Sequence, residues 1–76
     1  MEKLLEVLKE LRSSIDYENE KNLIDDGLLD SVDVVTLVGE LNEEFDIEIT
    51  FDDMEAENFN SVEQMWAMIQ RLQEGK

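Results

Sequence analysis

Gly27-Leu28-Leu29-Asp30-Ser31-Val32-Asp33-Val34-Val35-Thr36-Leu37-Val38 joins a turn to the start of a helix. Gly27 marks the turn, and Asp30 is a residue type that caps helix N-termini by accepting a hydrogen bond from a free backbone N–H. The apolar run that follows predicts a helix over residues 31–44. Its buried stripe is expected to hold Val34 or Val35, then Val38, Leu41 and Phe45. Ser31 then falls in the first turn, with its hydroxyl expected to face water. The unpaired N–H groups of a helix start favour an anion, so a phosphate ester on Ser31 would sit in a favourable field. The chain has no Cys and no His. Any covalent chemistry it takes part in needs a reactive group added to it, and Ser31 is the best place to add one.

Upstream, Leu4, Leu8 and Leu11 recur at helical spacing with Leu5 beside them, and Glu2, Lys3, Glu6, Lys9, Glu10 and Arg12 fill the other face. This predicts a first helix over residues 2–13. The period is lost over residues 15–30, where Asp16, Glu18, Asn19, Glu20 and Asn22 mark a long loop, anchored by Ile15, Leu23, Ile24, Leu28 and Leu29. So long a loop in so small a domain points to function. Downstream, Asp46-Ile47-Glu48-Ile49-Thr50-Phe51 alternates like a strand but has no partner strand. It reads as an extended connector with Ile47, Ile49 and Phe51 inward. Residues 52–57 suggest one helical turn anchored by Met54. Ser61-Val62-Glu63-Gln64 fits a capping box, Phe59 is placed to staple it, and Gly75 follows the last turn. Val62, Met65, Trp66, Ile69 and Leu72 form the stripe of that last helix. Trp66 is expected to be largely buried against the first helix, with Met68 half exposed. The fold class is all-α, a small bundle of three longer helices plus one short helix, with a long loop between the first two.

The length fits one domain, residues 1–76, with a core of marginal stability and no disulfide to reinforce it. Hydrophobic residues make up 42% of the chain and fall in patterns, which excludes disorder. There are 21 acids against 6 bases, a formal net charge of −15. Such a field repels nucleic-acid phosphates and anionic lipid heads, and it favours encounter with basic protein surfaces. No signal-like segment and no stretch long enough to cross a bilayer is present, so a cytoplasmic monomer without stable membrane insertion is expected.

Enzymatic readings fail on residue types. A serine nucleophile needs a general base, usually His, and the glycine pattern of a nucleophile elbow is missing too. A calcium loop with Gly27 sixth would put Ile24 third and Asp33 twelfth. Ile24 offers no side-chain oxygen and Asp33 is too short, so no metal site is expected. The pairs Asp25-Asp26, Asp52-Asp53 and Glu43-Glu44 read as solvated charge. Trp66 and Met65 read as core.

Taken together, Asp30-Ser31 after Gly27-Leu28-Leu29, then Asp33, then Leu41-Asn42-Glu43-Glu44-Phe45-Asp46, resembles an acyl carrier protein. Ile47-Glu48-Ile49 and Phe59-Asn60-Ser61-Val62 extend the likeness over nearly the whole chain. The resemblance implies a 4'-phosphopantetheine arm, donated by coenzyme A and attached to Ser31, that carries an acyl or aminoacyl group as a thioester. It also implies that Asp30 serves recognition by a phosphopantetheinyl transferase. Val32, Asp33, Val35, Glu40 and Glu43 become candidates for contact with that enzyme and with ligases, synthases or transferases bearing basic docking surfaces. The chain would be a non-catalytic carrier. Gly39 and Thr36 depart from the Met and Glu usual in fatty-acid carriers. A mid-helix Gly costs about 1 kcal/mol relative to Ala and removes an apolar contact from the docking face. Leu28-Leu29-Asp30-Ser31 also resembles D-alanyl and other aminoacyl carriers, which work with an adenylating ligase. An acidic helical adaptor without a prosthetic group is the alternative from another class.

Overall fold

The computed structural model describes residues 2–75. Its elements are α1 (Glu2–Leu11), α2 (Ser31–Phe45), a 3-10 turn (Phe51–Asp53), α3 (Ala56–Phe59) and α4 (Val62–Glu74), with no strand among the described residues. No helix among them is long and apolar enough to cross a membrane. The expected all-α bundle, three longer helices and one short, is what the chain forms.

Leu4, Val7 and Leu8 bury one face of α1, while Leu5 and Leu11 are half-buried. Val7, which the expected apolar face left out, belongs to it. The helix stops at Leu11, two residues before the expected end. The Arg12 N–H still donates to the Leu8 carbonyl at 2.9 Å. Tyr17 then folds back, its hydroxyl 2.8 Å from the carbonyls of both Leu8 and Arg12. Its single proton is shared between the Leu8 carbonyl, which already accepts from Arg12, and the Arg12 carbonyl, which a longer helix would have used internally. Tyr17 is 2% exposed, and the spacing analysis did not single it out.

Leu23 and Leu29 anchor the loop in the core, Ile15 and Ile24 are half-buried, and Leu28 lies at the surface. The Leu23 N–H donates to the Asn60 carbonyl, and the Leu29 N–H to the Leu23 carbonyl. Asn60 Oδ1 accepts from the Ile24 and Asp25 N–H groups at 3.0 and 3.1 Å. Gly27 has φ 74, the left-handed backbone that a side chain disfavours.

In α2 the buried residues are Asp33, Leu37 and Leu41. Val34, Val38 and Phe45 flank them, half-buried, and Val35 is exposed. The stripe therefore runs through Leu37, which the expected stripe omitted. Asp46, at φ 51, ends the helix, and its N–H donates to the Asn42 carbonyl. Asn42 Oδ1 accepts from the Ile49 N–H at 2.9 Å, which pins the connector with Ile47 and Ile49 inward. Phe51 is not inward: it is 89% exposed. The 3-10 turn beginning there breaks the alternation. The turn takes up the start of the range expected for the short helix, which instead forms later, at Ala56–Phe59, with Met54 half-buried between the two.

Ser61 caps α4, its Oγ accepting from the Gln64 N–H at 3.2 Å, which is one half of the expected capping box; in place of the other half, the Ser61 hydroxyl donates to Gln64 Oε1 at 3.3 Å. Val62, Met65, Met68 and Ile69 are buried, and Trp66 and Leu72 are half-buried. Met68 and Trp66 thus exchange their expected places. Seen from Met65, residues 62, 68, 69 and 72 lie within about 60° around the helix, whereas residue 66 lies about 100° away. Trp66 therefore sits at the edge of the stripe. It meets Phe45 of α2 edge-to-face at 5.9 Å.

Candidate functional site at the start of the second helix

The first turn of α2 is fixed by a reciprocal pair of hydrogen bonds. Asp30 Oδ1 accepts from the Asp33 N–H at 2.9 Å, and Asp33 Oδ2 accepts from the Asp30 N–H at 3.3 Å. Two free donors of the helix start are satisfied this way. Ser31 is the next residue, solvent-exposed, and no hydrogen bond among the described residues occupies its hydroxyl.

Ser31 stands on the rim of an open cleft of about 290 Å³. Leu29 and Val34 form one wall, Met54 and Ala56 the other, and Phe59 also lines it. Phe59 is 1% exposed and belongs to the core. The sequence reading missed this cleft because its far wall comes from residues 54–59, beyond the connector. The only signal was that Met54 and Phe59 are apolar residues in an otherwise acidic stretch.

Two residues on, Asp33 faces the opposite way. It is 8% exposed, and its Oδ2 accepts from Arg12 Nε at 3.1 Å and lies 3.0 Å from Arg12 Nη2. Burial pushes the Asp33 carboxyl up. The Arg12 hydrogen bond, the Asp30 N–H and the Arg12 charge outweigh that and hold it below its ordinary value. The Arg12 guanidinium is held above its own ordinary value by the hydrogen bond to Asp33 and by that carboxylate's charge. Burial pushes the neighbouring Tyr17 phenol up to about 12, with the Asp33 charge adding to the effect and Arg12 opposing it.

Of the residues expected to meet partners, Val32 is 70% and Val35 62% exposed, and Glu40 and Glu43 also face solvent. Asp33 does not join them, because its carboxylate is turned to α1. Asp30 is exposed, with one carboxylate oxygen committed to the cap. Arg12 and Tyr17 were missed as parts of the site's frame, since nothing in their spacing ties them to a helix start some twenty residues away. Among the described residues no group of three or more acids is placed to hold a metal ion. The arrangement presents a free hydroxyl in the N-terminal field of a helix, beside an apolar cleft and an exposed valine face.

A family model described as a phosphopantetheine attachment site matches residues 1–69. An acyl carrier protein of Buchnera aphidicola subsp. Baizongia pistaciae (strain Bp) is 45% identical over 53 residues, covering 70% of this chain and 65% of that protein. Acyl carrier proteins of Buchnera aphidicola subsp. Acyrthosiphon pisum, strains Tuc7 and APS, are each 47% identical over 53 residues, covering 70% of this chain and 64% of theirs. The chain thus spans slightly less than two-thirds of the length of these relatives. No solved structure matches it.

Proposed function

Since the chain belongs to the acyl carrier protein family, whose cofactor is a covalently attached 4'-phosphopantetheine, we propose that Ser31 is the attachment residue. We propose further that residues 1–76 act as one monomeric, cytoplasmic carrier domain serving separate enzymes. The observation that carries this reading is the exposed Ser31 hydroxyl, without a hydrogen-bond partner among the described residues, in the first turn of α2 beside an apolar cleft. The residues fit the group. The hydroxyl is accessible to an enzyme, and the helix N-terminus stabilises an added phosphodiester by about 0.3–1 kcal/mol.

Attachment makes the bond from Ser31 Oγ to phosphorus and breaks the pyrophosphate P–O bond of coenzyme A. Adenosine 3',5'-bisphosphate leaves, and the hydroxyl proton passes to a base supplied by the transferase. Asp30 and Asp33 hold the first turn in place through their paired hydrogen bonds. When attached, the arm supplies a thiol that carries the cargo as a thioester. Val32 and Val35 offer apolar contact to docking enzymes, and Glu40 and Glu43 steer basic surfaces toward them. At about 290 Å³ the cleft lies just below the usual range for ligand cavities, about 300–1,000 Å³. It suits a short apolar group better than a long chain. A second reading of the cargo, a D-alanyl or other aminoacyl group loaded by an adenylating ligase, is supported by the Leu28-Leu29-Asp30-Ser31 run and not by the cleft, since the ammonium of an aminoacyl group is not suited to an apolar lining.

Intact mass after incubation with coenzyme A and a phosphopantetheinyl transferase tests the attachment. The wild type should gain one phosphopantetheine, and a protein that never gains it sinks the reading. Labelled fatty and amino acids, offered with their ligases, then separate the cargo classes.

A further inference from the structure

Of the five aromatic residues, Tyr17 and Phe59 are buried, and Phe45 and Trp66 pack edge-to-face. Phe51 alone stands out in solvent, 89% exposed. It is held there by a turn with several independent ties. The Asp53 N–H donates to the Thr50 carbonyl, and the Met54 N–H to the Phe51 carbonyl. Asp53 Oδ2 accepts from the Thr50 N–H at 3.2 Å and from Thr50 Oγ1 at 3.0 Å. Asn58 Nδ2 donates to the Asp53 carbonyl at 2.8 Å, and Arg71 pairs with Asp53 at 3.9 Å. The aromatic ring is therefore displayed by a pre-organised turn, at little further ordering cost on binding.

We infer that Phe51 is a docking anchor for the phosphopantetheinyl transferase, fitting an apolar socket bordered by Lys or Arg side chains on that enzyme. This rests on Ser31 being the attachment residue. Two observations select the occupant. The first is charge. Residues 48–57 hold Glu48, Asp52, Asp53, Glu55 and Glu57 and no base, so the ring sits in an acidic segment whose complement is an apolar site with a cationic rim. The second is position. The turn leads directly into Met54, Glu55 and Ala56, which line the same cleft as Ser31. An enzyme that works at the far end of a long arm can stand away from this rim. The transferase must bring phosphorus to Ser31 Oγ itself, and so it must close over the cleft's surroundings.

The test is steady-state modification of the apo-protein, with coenzyme A and a purified phosphopantetheinyl transferase, for wild type, Phe51→Ala and Phe51→Tyr, beside thermal melts. Phe51→Ala should raise KM for the carrier by about tenfold or more, as expected for loss of an aromatic anchor. The kcat and melting temperature should stay at wild-type values, and Phe51→Tyr should restore KM. A wild type that is never modified overturns the Ser31 reading, and this inference with it. A modified wild type with an unchanged KM in Phe51→Ala overturns the anchor alone. A rise in KM accompanied by an equal loss of thermal stability in Phe51→Ala also overturns it, because the ring would then be structural.

Discussion

Ser31 and Asp33 share one turn of α2, yet two residues of helix separate them by about 200° and give them opposite surroundings. The serine opens onto an apolar cleft, and among the described residues its hydroxyl has no hydrogen-bond partner. The aspartate is turned to the end of α1, 8% exposed and bonded to Arg12 and to the Asp30 N–H. One side of the turn is left available, and the other is committed to holding the helix start in place. An acid close in sequence to a reactive residue is therefore not by that fact part of its chemistry. Which acids remain free depends on which bases the fold brings to them, and here the base, Arg12, lies just past the end of another helix.

The comparison can be broken most directly at Ser31. Ser31→Ala should abolish the phosphopantetheine mass gain completely. Stability should move by less than about 0.5 kcal/mol, as for an ordinary surface substitution, because Asp30 still caps the helix. Ser61 should not substitute, since it is 4% exposed and bound as a cap. Intact mass beside a thermal melt decides the matter, and any residual gain in the variant places the attachment elsewhere.

The cleft side depends on its lining. Phe59→Ala should cost roughly 3–5 kcal/mol in urea unfolding, as other large-to-small core changes do. An unchanged midpoint would mean that Phe59 does not support that side.

The seam side should show up in stability and not in recognition. Asp33→Ala should cost about 1–3 kcal/mol by leaving the Asp30 N–H and Arg12 without their acceptor, while KM for the transferase and its salt dependence stay at wild type. Glu40→Gln with Glu43→Gln should do the reverse: stability unchanged, and modification slowed at low salt, where charge attraction is screened over about 10 Å at 0.1 M. If Asp33→Ala flattened the salt dependence as the glutamate variants do, the contrast between the two sides would collapse.

Tyr17→Phe should have the smallest effect, about 1 kcal/mol for the hydrogen bonding lost to the α1 carbonyls. Its pH behaviour sharpens the contrast. The folded phenol is pushed up to about 12 from an ordinary 10.0, so the tyrosine's contribution is whole below pH 10 and is lost as pH rises toward 12. Asp33 has the opposite sign. Its folded carboxyl lies below the ordinary 3.8, so its contribution is whole above that value and is lost as pH falls through the lowered one. The stability gap between wild type and Tyr17→Phe should close and then reverse as pH rises toward 12, and the gap to Asp33→Asn should narrow as pH falls below 3.8.

How far the sequence revealed this depends on the range of the interactions. The caps at Asp30 and Ser61 were legible because each bonds to a residue three positions away. The helices were legible from their period, although their rotational phase was not. Leu37 and Met68 proved central, and Val35 and Trp66 peripheral, because a stripe more than one residue wide leaves its midline to the neighbouring helices. Phe51 was misread because strand-like alternation continued on paper through a residue where Thr50 and Asp53 close a turn. The serine was legible locally. The cleft beside it, the Arg12 bond to Asp33 and the return of Tyr17 were not, since each joins segments that only the finished fold brings together.

Asn60 gives this last point a consequence for the order of assembly. Its side-chain oxygen receives the N–H groups of Ile24 and Asp25, which precede it by 36 and 35 positions. Its carbonyl receives that of Leu23. The loop that delivers Ser31 is thus tied to the corner between α3 and α4. A growing chain that has not yet reached Asn60 has no acceptor for these amides, so the segment before the serine stays unfastened until the last third has emerged. An enzyme that recognises the folded site would then act on completed domains and pass over unfinished ones, and protection of the three amides from hydrogen exchange would appear only when the C-terminal corner closes.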